Sequence, residues 1–328
     1  MKLATLKDGS RDGQLVVVSR DLASAHFASH AATTLQGVLD DWNFISPQLE
    51  DLYATLNGGK ARHVFAFDPR QCMAPLPRAY QWADGSAYLS HVERVRHARG
   101  AEVPASLQEH PLMYHGGSDD FLGACDDAVF ASADWGIDFE SELAVITGDV
   151  PAGASADVAL DSVRLLMLAN DWSLRNLVAA ELDKGFGFVQ SKPATAFSPV
   201  AATPDELGPA WRGGRVHLLL ESRWNGARFG LVDAGAGMHF HFGQLIAHLA
   251  RTRRVRAGSV VGSGTVSSAD RASGVSCLAE RRALETLEQG APQTVFMQAG
   301  DRVHIEMLAA DGASVFGAID QCVVVSRP

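Results

Sequence analysis

The first apolar run of the chain, Leu15-Val16-Val17-Val18, is a block of strand formers with Asp12-Gly13 before it and Ser19 after it. With residues 2–7 it predicts two strands around an Asp8-Gly9 turn, because β-branched residues joined through Asp-Gly favour a hairpin. The spacing then changes to that of helices over 34–42 and 47–56, and Asn57-Gly58-Gly59 ends the second. A proline-punctuated junction, Cys72-Met73-Ala74-Pro75-Leu76-Pro77, follows. It divides the chain into a small N-terminal domain (1–76), α+β or barrel-like, and a larger domain (77–328).

The larger part is rich in strand patterns. Residues 137–148 alternate, 158–169 form an apolar run that reads as helix-like or mixed, and 171–183 are helical. Residues 215–223 and 228–233 read as strands joined at Asn225-Gly226, 241–253 as an amphipathic helix, and 258–267 as a Gly-rich strand and turn. Residues 301–309 and 314–325 close the pattern as strands. Long β stretches broken by single helices predict a mostly-β α+β fold, a mixed sheet or β-roll, rather than a doubly wound sheet.

Composition acts mainly by exclusion. The 328 residues are 47% hydrophobic and 20% charged, as in an ordinary globular protein with a large core. A net charge of −10 argues against a nucleic-acid partner, which calls for a basic stripe. The one basic cluster, Arg251-Thr252-Arg253-Arg254-Val255-Arg256, follows an apolar helical segment and reads as a positive helix end or an intersubunit contact. No apolar run reaches the ~18 residues of a membrane span, and residues 1–9 lack the apolar core of a signal peptide. Cys72, Cys125, Cys277 and Cys322 form no CxxC pair, which suits reduced thiols and a cytoplasmic protein.

Candidate chemistry concentrates in Gly136-Ile137-Asp138-Phe139-Glu140-Ser141-Glu142 and Asn170-Asp171-Trp172-Ser173. In a regular strand Asp138, Glu140 and Glu142 share one face. Such repulsion is relieved by a hard divalent cation, which takes several carboxylate oxygens. Asp171 reads either as a further ligand or as a helix cap paired with Arg175 four residues on. His91, in a helical and basic stretch, reads as a general base or as a structural histidine. Gly262-Ser263-Gly264-Thr265-Val266-Ser267 lacks the Lys-Ser/Thr of a P-loop and the third Gly of a dinucleotide fingerprint. His239-Phe240-His241 has no further ligand at zinc spacing.

Together these blocks resemble the fumarylacetoacetate hydrolase family. Asp138-Phe139-Glu140-Ser141-Glu142, Asn170-Asp171-Trp172-Ser173-Leu174-Arg175, Ser191-Lys192 before Phe197-Ser198-Pro199, and Gly262 to Ser267 recur in the family's order over about residues 75–325. The resemblance implies a fumarylacetoacetase-type β-roll domain behind a small barrel-like one, packed as a homodimer. It implies Asp84, Glu140, Glu142 and Asp171 as ligands of a divalent cation, Mg²⁺ first, with Ca²⁺ or Mn²⁺ as alternatives. It assigns water activation to His91, oriented by Glu280, and oxyanion stabilisation to Arg175 and Lys192. Thr265 and Tyr114 would contact substrate. Val178, Leu182 and Ser86 depart from the Gln, Tyr and Tyr of the eukaryotic-type enzyme, so the acyl pocket differs.

The implied activity is metal-dependent hydrolysis of the C–C bond of a small-molecule β-diketo acid, fumarylacetoacetate or an acylpyruvate such as fumarylpyruvate, in tyrosine or aromatic-compound catabolism. The alternatives are a hydratase, decarboxylase or isomerase of an unsaturated 2-oxo acid on the same scaffold, or a non-enzymatic oxo-acid binder.

Overall fold

The structure, a computed structural model, describes residues 1–326; the last two residues of the expected 77–328 domain lie outside the described residues. Its centre is strand Ser141–Thr147, buried at every position. Leu143 and Val145 join one apolar cluster while Ala144 and Ile146 join another. The neighbouring strand Val163–Asn170 divides likewise, Leu166 and Leu168 to the first cluster and Leu165 and Met167 to the second. A strand covered on both faces is apolar throughout. That is why 158–169 looks helix-like in sequence, although only Ala156–Leu160 is helical and, after a turn at 161–162, Val163–Asn170 is strand.

Across the large mixed sheet the order is Phe65–Ala66, Ser24–Phe27, Gln14–Val18, Lys2–Leu6, Ala201–Ala202, Val163–Asn170, Ser141–Thr147, Ser259–Gly262, Gln81–Gly85 and Met113–Gly116. Ser259–Gly262 runs parallel to Gln81–Gly85, and its pairing with Ser141–Thr147 is antiparallel. Lys2–Leu6 pairs with Gln14–Val18 on one side and Ala201–Ala202 on the other. The N-terminal strands therefore continue the large sheet, and they close into no barrel among the described residues. Helix Trp42–Asn57 packs Leu49, Tyr53 and Leu56 into the same cluster as Leu3, Leu15 and Val17.

A second sheet, ordered Ala227–Asp233, Leu219–Trp224, Arg302–Met307, Ile319–Val325 and Ala128–Phe130, supplies Val303, Ile305 and Met307 to the cluster that holds Leu143 and Leu168. Its first two strands turn at Asn225-Gly226, both with positive φ (49° and 79°), the backbone a tight I′ hairpin requires. Helices Leu89–Ala98 and Leu278–Gln289 pack against one another beside the large sheet. The second of these carries no expectation from the sequence. Among the described residues no helix is long and apolar enough to cross a membrane.

Candidate active site

Three strands of the large sheet bring carboxylates to one point. Glu142 lies on Ser141–Thr147, Asp84 on Gln81–Gly85, and Asp171 just beyond Val163–Asn170. Strand Ser259–Gly262 runs between the first two, with Gly262 paired to both Asp84 and Ala144. A Cβ at Gly262 would lie 2.3 Å from Asp84 Oδ1, so only glycine leaves room for Asp84 to reach Glu142. Carboxylate oxygens of Asp84, Glu142 and Asp171 lie within 4.8 Å of one another, and all three residues are buried.

Asp84 Oδ1 accepts from Gly264 N (3.0 Å) and Asp171 Oδ1 from Thr195 Oγ1 (2.7 Å). Both oxygens of Glu142 are buried without a hydrogen-bond partner. Burial, reinforced by Asp84 and Asp171, pushes the Glu142 carboxyl well above its ordinary range, and burial with the Asp171 charge does the same to Asp84. An all-oxygen set with an orphaned buried carboxylate fits a hard divalent cation.

Glu140 lies apart from this trio. Its Oε2 accepts from Lys192 Nζ at 2.6 Å and its Oε1 from Arg175 Nη2. Burial opposes its charge, yet Lys192 and Arg175 outweigh it and hold Glu140 below the carboxylate range. Lys192 Nζ also donates to Asp171 Oδ2 at 2.6 Å; burial disfavours the ammonium, but Asp171 and Glu140 raise its pKa.

Asp138 departs from the expected shared face. The strand pattern breaks between Ile137–Asp138 and Ser141–Thr147. Asp138 instead accepts from Leu278 N (2.7 Å) and Ala279 N (2.9 Å), capping helix Leu278–Gln289, and from Arg175 Nε (2.8 Å). Arg175 thus pairs with Asp138 and Glu140 rather than with Asp171, which precedes helix Arg175–Leu182 by a short bridge, Ser173–Leu174.

His91 stands in the first turn of helix Leu89–Ala98, and its Nδ1 lies 2.9 Å from Glu280 Oε2. Because an ionised carboxylate only accepts, Nδ1 carries a proton, and in the neutral ring Nε2 then keeps its lone pair. Burial disfavours the Glu280 charge, but His91, Ser267 and Arg94 hold its carboxyl below the usual range.

A cavity of about 170 Å³ is lined by Asp84, His91, Tyr114, Glu140, Arg175, Lys192 and Thr265. Tyr114 donates its hydroxyl to Asp171 Oδ2, and its ring lies 5.5 Å from Lys192 Nζ. Ser86, Val178 and Leu182 line the same cavity. Roomier hollows, about 540 Å³ beside His26, His30 and His63 and about 440 Å³ beside His217 and Asp233, gather no comparable set of buried charges.

Sequence reasoning missed Arg94, Ser267 and Thr195, which hold the named residues, and Arg99 and Phe188, which line the cavity. Arg94 and Arg99 follow His91 by three and eight positions, so helical spacing from that histidine was the available signal.

A buried oxygen-donor cluster beside a His–Glu pair, at the ends of strands in a mixed sheet, suits divalent-metal chemistry on a small molecule. Residues 81–324 match the family model described as "Fumarylacetoacetate (FAA) hydrolase C-terminal", and residues 1–78 match "Fumarylacetoacetase N-terminal domain 2". The chain belongs to the fumarylacetoacetate hydrolase family.

Solved structures share its fold. A fumarylacetoacetate hydrolase from psychrophilic Exiguobacterium antarcticum is 16% identical, with 99% of this chain and 100% of that one covered and a TM-score of 0.67. A protein described as a probable 2-hydroxyhepta-2,4-diene-1,7-dioate isomerase from Mycobacterium abscessus is 17% identical, with 100% of both chains covered and a TM-score of 0.67. Fumarylpyruvate hydrolase from Pseudomonas aeruginosa, in complex with Mn²⁺ and pyruvate, is 14% identical, with 78% of this chain and 92% of that one covered and a TM-score of 0.55. At these identities the likeness is one of fold. Among curated proteins none matches the chain.

Proposed function

We propose that the chain is a divalent-metal-dependent hydrolase that cleaves a C–C bond of a β-diketo acid, fumarylacetoacetate or an acylpyruvate such as fumarylpyruvate, in tyrosine or aromatic-compound catabolism. The observation that carries this reading is that His91, paired with Glu280, lines the same cavity as Asp84, whose carboxylate clusters with the unpartnered one of Glu142.

Asp84, Glu142 and Asp171 would hold the ion, with Glu140 joining them once its cations are drawn off; Mg²⁺ is the first ion to test, beside Mn²⁺ and Ca²⁺. When bound there, a divalent ion supplies Lewis acidity toward the paired oxygens of a 1,3-dicarbonyl compound.

Glu280 fixes the His91 ring, and Nε2 takes a proton from water as the water oxygen adds to the carbonyl carbon. Lys192 donates to Glu140 Oε2 (2.6 Å), Asp171 Oδ2 (2.6 Å) and, at 3.4 Å, the Asp171 carbonyl; with Arg175 it supplies positive charge to the oxyanion. Collapse of the adduct breaks the C–C bond. The electron pair leaves as an enolate, which is protonated to the ketone while the other fragment departs as a carboxylic acid. Thr265 receives a substrate carboxylate and Tyr114 contacts the substrate.

The direct test is loss of ultraviolet absorbance of fumarylpyruvate and fumarylacetoacetate, with EDTA and Mg²⁺ controls and fumarate measured as product. A hydratase, decarboxylase or isomerase needs the carboxylates but not the His–Glu pair in the same role. In His91→Ala, hydrolysis should therefore vanish while bound metal is retained; undiminished turnover would move the reading to that alternative. We further propose a domain boundary at 76/77 and a homodimer, which sedimentation at monomer mass would refute.

A further inference from the structure

Glu280 is held by more donors than an orienting carboxylate needs. Oε2 faces His91 Nδ1 at 2.9 Å, while Oε1 accepts from Arg94 Nη1 at 2.6 Å and from Ser267 Oγ at 2.7 Å. The Glu280 side chain is 0% exposed and that of Arg94 12%. His91 and Arg94 stand three apart on helix Leu89–Ala98 and so share a face; one helix presents an imidazole and a guanidinium to the two oxygens of one carboxylate. Arg94 is fixed in turn, its Nη2 donating to Ala269 O at 3.1 Å. Ser90 Oγ lies 2.8 Å from Ser267 Oγ. Arg94 does not line the cavity.

Two consequences follow from this geometry. With Oε1 occupied by a cation and a hydroxyl, the carboxylate cannot rotate, and Oε2 is left to His91 alone. The guanidinium also offsets the carboxylate charge, which would otherwise favour the imidazolium over the neutral ring that can accept a proton.

We infer that Arg94 is a positioning residue that, by clamping Glu280, keeps His91 as the neutral ring with its proton on Nδ1 and Nε2 free. This rests on the reading of His91 and Glu280 as the water-activating pair. Cys277, at the start of the Glu280 helix, and Glu140 are titratable groups near that pair, and Asp84, Arg99, Arg175 and Lys192 line the same cavity as His91; the variants below leave all of them in place.

The test uses the full-length protein with ring-¹⁵N histidine and Mg²⁺ present. The His91 signal is identified by its loss in His91→Ala, and Arg94→Met, Arg94→Gln and Arg94→Lys are compared with the parent. The Nδ1-protonated tautomer is expected in the parent. In Arg94→Met, His91 should titrate about one pH unit higher. The acid limb of kcat/KM for fumarylpyruvate should move with it, and kcat should fall about tenfold with KM little changed. Arg94→Lys should restore both toward the parent. Arg94→Gln, which keeps a donor toward Oε1 but no charge, should reproduce the titration shift if Arg94→Met does not fold.

An unchanged His91 titration and acid limb in the charge-removing variants would overturn the inference, as would equal impairment in Arg94→Lys and Arg94→Met. Glu280→Gln separates the two levels. If it leaves the tautomer and turnover intact, the His–Glu reading itself fails. If it abolishes turnover while removal of the Arg94 charge changes nothing, only the role of Arg94 fails.

Discussion

Glu142→Gln offers a sharp test of whether the carboxylate cluster is built for a cation. Both Glu142 oxygens are buried without partners, close to Asp84 and Asp171. In metal-free protein that charge is uncompensated, a condition that costs roughly 3–5 kcal/mol when a buried ion pair is broken. The amide removes the charge and keeps the shape, but its own polar atoms remain without partners, at about 1–3 kcal/mol. The net relief is therefore about 0–4 kcal/mol, centred on about 2 kcal/mol, and at about 2 °C per kcal/mol for a chain of this length the Tm in EDTA should rise by roughly 4 °C. With metal the order should reverse. The parent gains about 2.7 kcal/mol at a hundredfold excess over Kd, whereas the variant, lacking a ligand, gains little. Thermal unfolding in EDTA and in Mg²⁺, Mn²⁺ or Ca²⁺, with calorimetric titration of the same ions, reads both signs. A variant less stable than the parent in EDTA, or one raised equally by metal, would refute the reasoning.

Two further outcomes follow. Gly262→Ala places a Cβ 2.3 Å from Asp84 Oδ1 and 2.4 Å from the Trp82 ring; it should weaken metal binding at least about tenfold by calorimetry, the ~1.4 kcal/mol equivalent of displacing one ligand, and unchanged affinity would mean that Asp84 does not need that gap. Glu181 accepts from the backbone N–H groups of Val189 (3.0 Å), Gln190 (2.7 Å) and Ser191 (3.1 Å) and from the Ser191 hydroxyl; burial works against its charge, but these donors lower its carboxyl from 4.5 to about 2. Because the folded value lies below the unfolded one, the stabilisation is present above pH 4.5 and is lost as pH falls toward about 2. Amide exchange at 189–191, corrected for intrinsic rates, should lose protection across that window, and Glu181→Ala should lack it at every pH; equal protection in the variant would disprove the tether.

Legibility followed how local the determining interaction was. The strand over 141–147 and the hairpin at Asn225-Gly226 were readable, since a run of strand formers and a left-handed turn pair are written in neighbouring residues. Val163–Asn170 was ambiguous because a strand covered on both faces leaves no polar stripe to reveal its period. Helix Leu278–Gln289 went unread although Gly290 ends it in the left-handed region (φ 83°), and its capping carboxylate, Asp138, comes from far earlier in the chain. The N-terminal barrel failed for a related reason. The second partner of Lys2–Leu6, beside Gln14–Val18, is Ala201–Ala202, and no local pattern announces a strand pairing across so long a separation. At the site, the resemblance supplied His91 and Glu280, which the fold brings to 2.9 Å. Spacing alone put Asp138 on the wrong face, because the alternation assumed an unbroken strand.

That break also explains why two glutamates two residues apart have opposite environments. Glu140 falls in the interruption, where Arg175 and Lys192 reach both its oxygens. Glu142 lies inside the regular strand, opposite Ala169 and one strand away from Gly262, and no cation reaches it. Asp84, Asp138, Glu140, Glu142 and Asp171 are all buried, while the cations paired with members of this group are Lys192 and Arg175. Five carboxylates against two cations leave three negative charges if all ionise; burial raises Asp138 even beside Arg175, and the two carboxyls raised well above their ordinary range, Asp84 and Glu142, are those that no Lys or Arg contacts. A divalent ion at those two groups and Asp171 would reduce the excess to one. The same ion would compete with Lys192 for Asp171, freeing an ammonium donor at the cavity wall. The charge imbalance of the metal-free cluster and the availability of Lys192 to an oxyanion are thus two aspects of one arrangement, and a variant that relieves the first should impair the second.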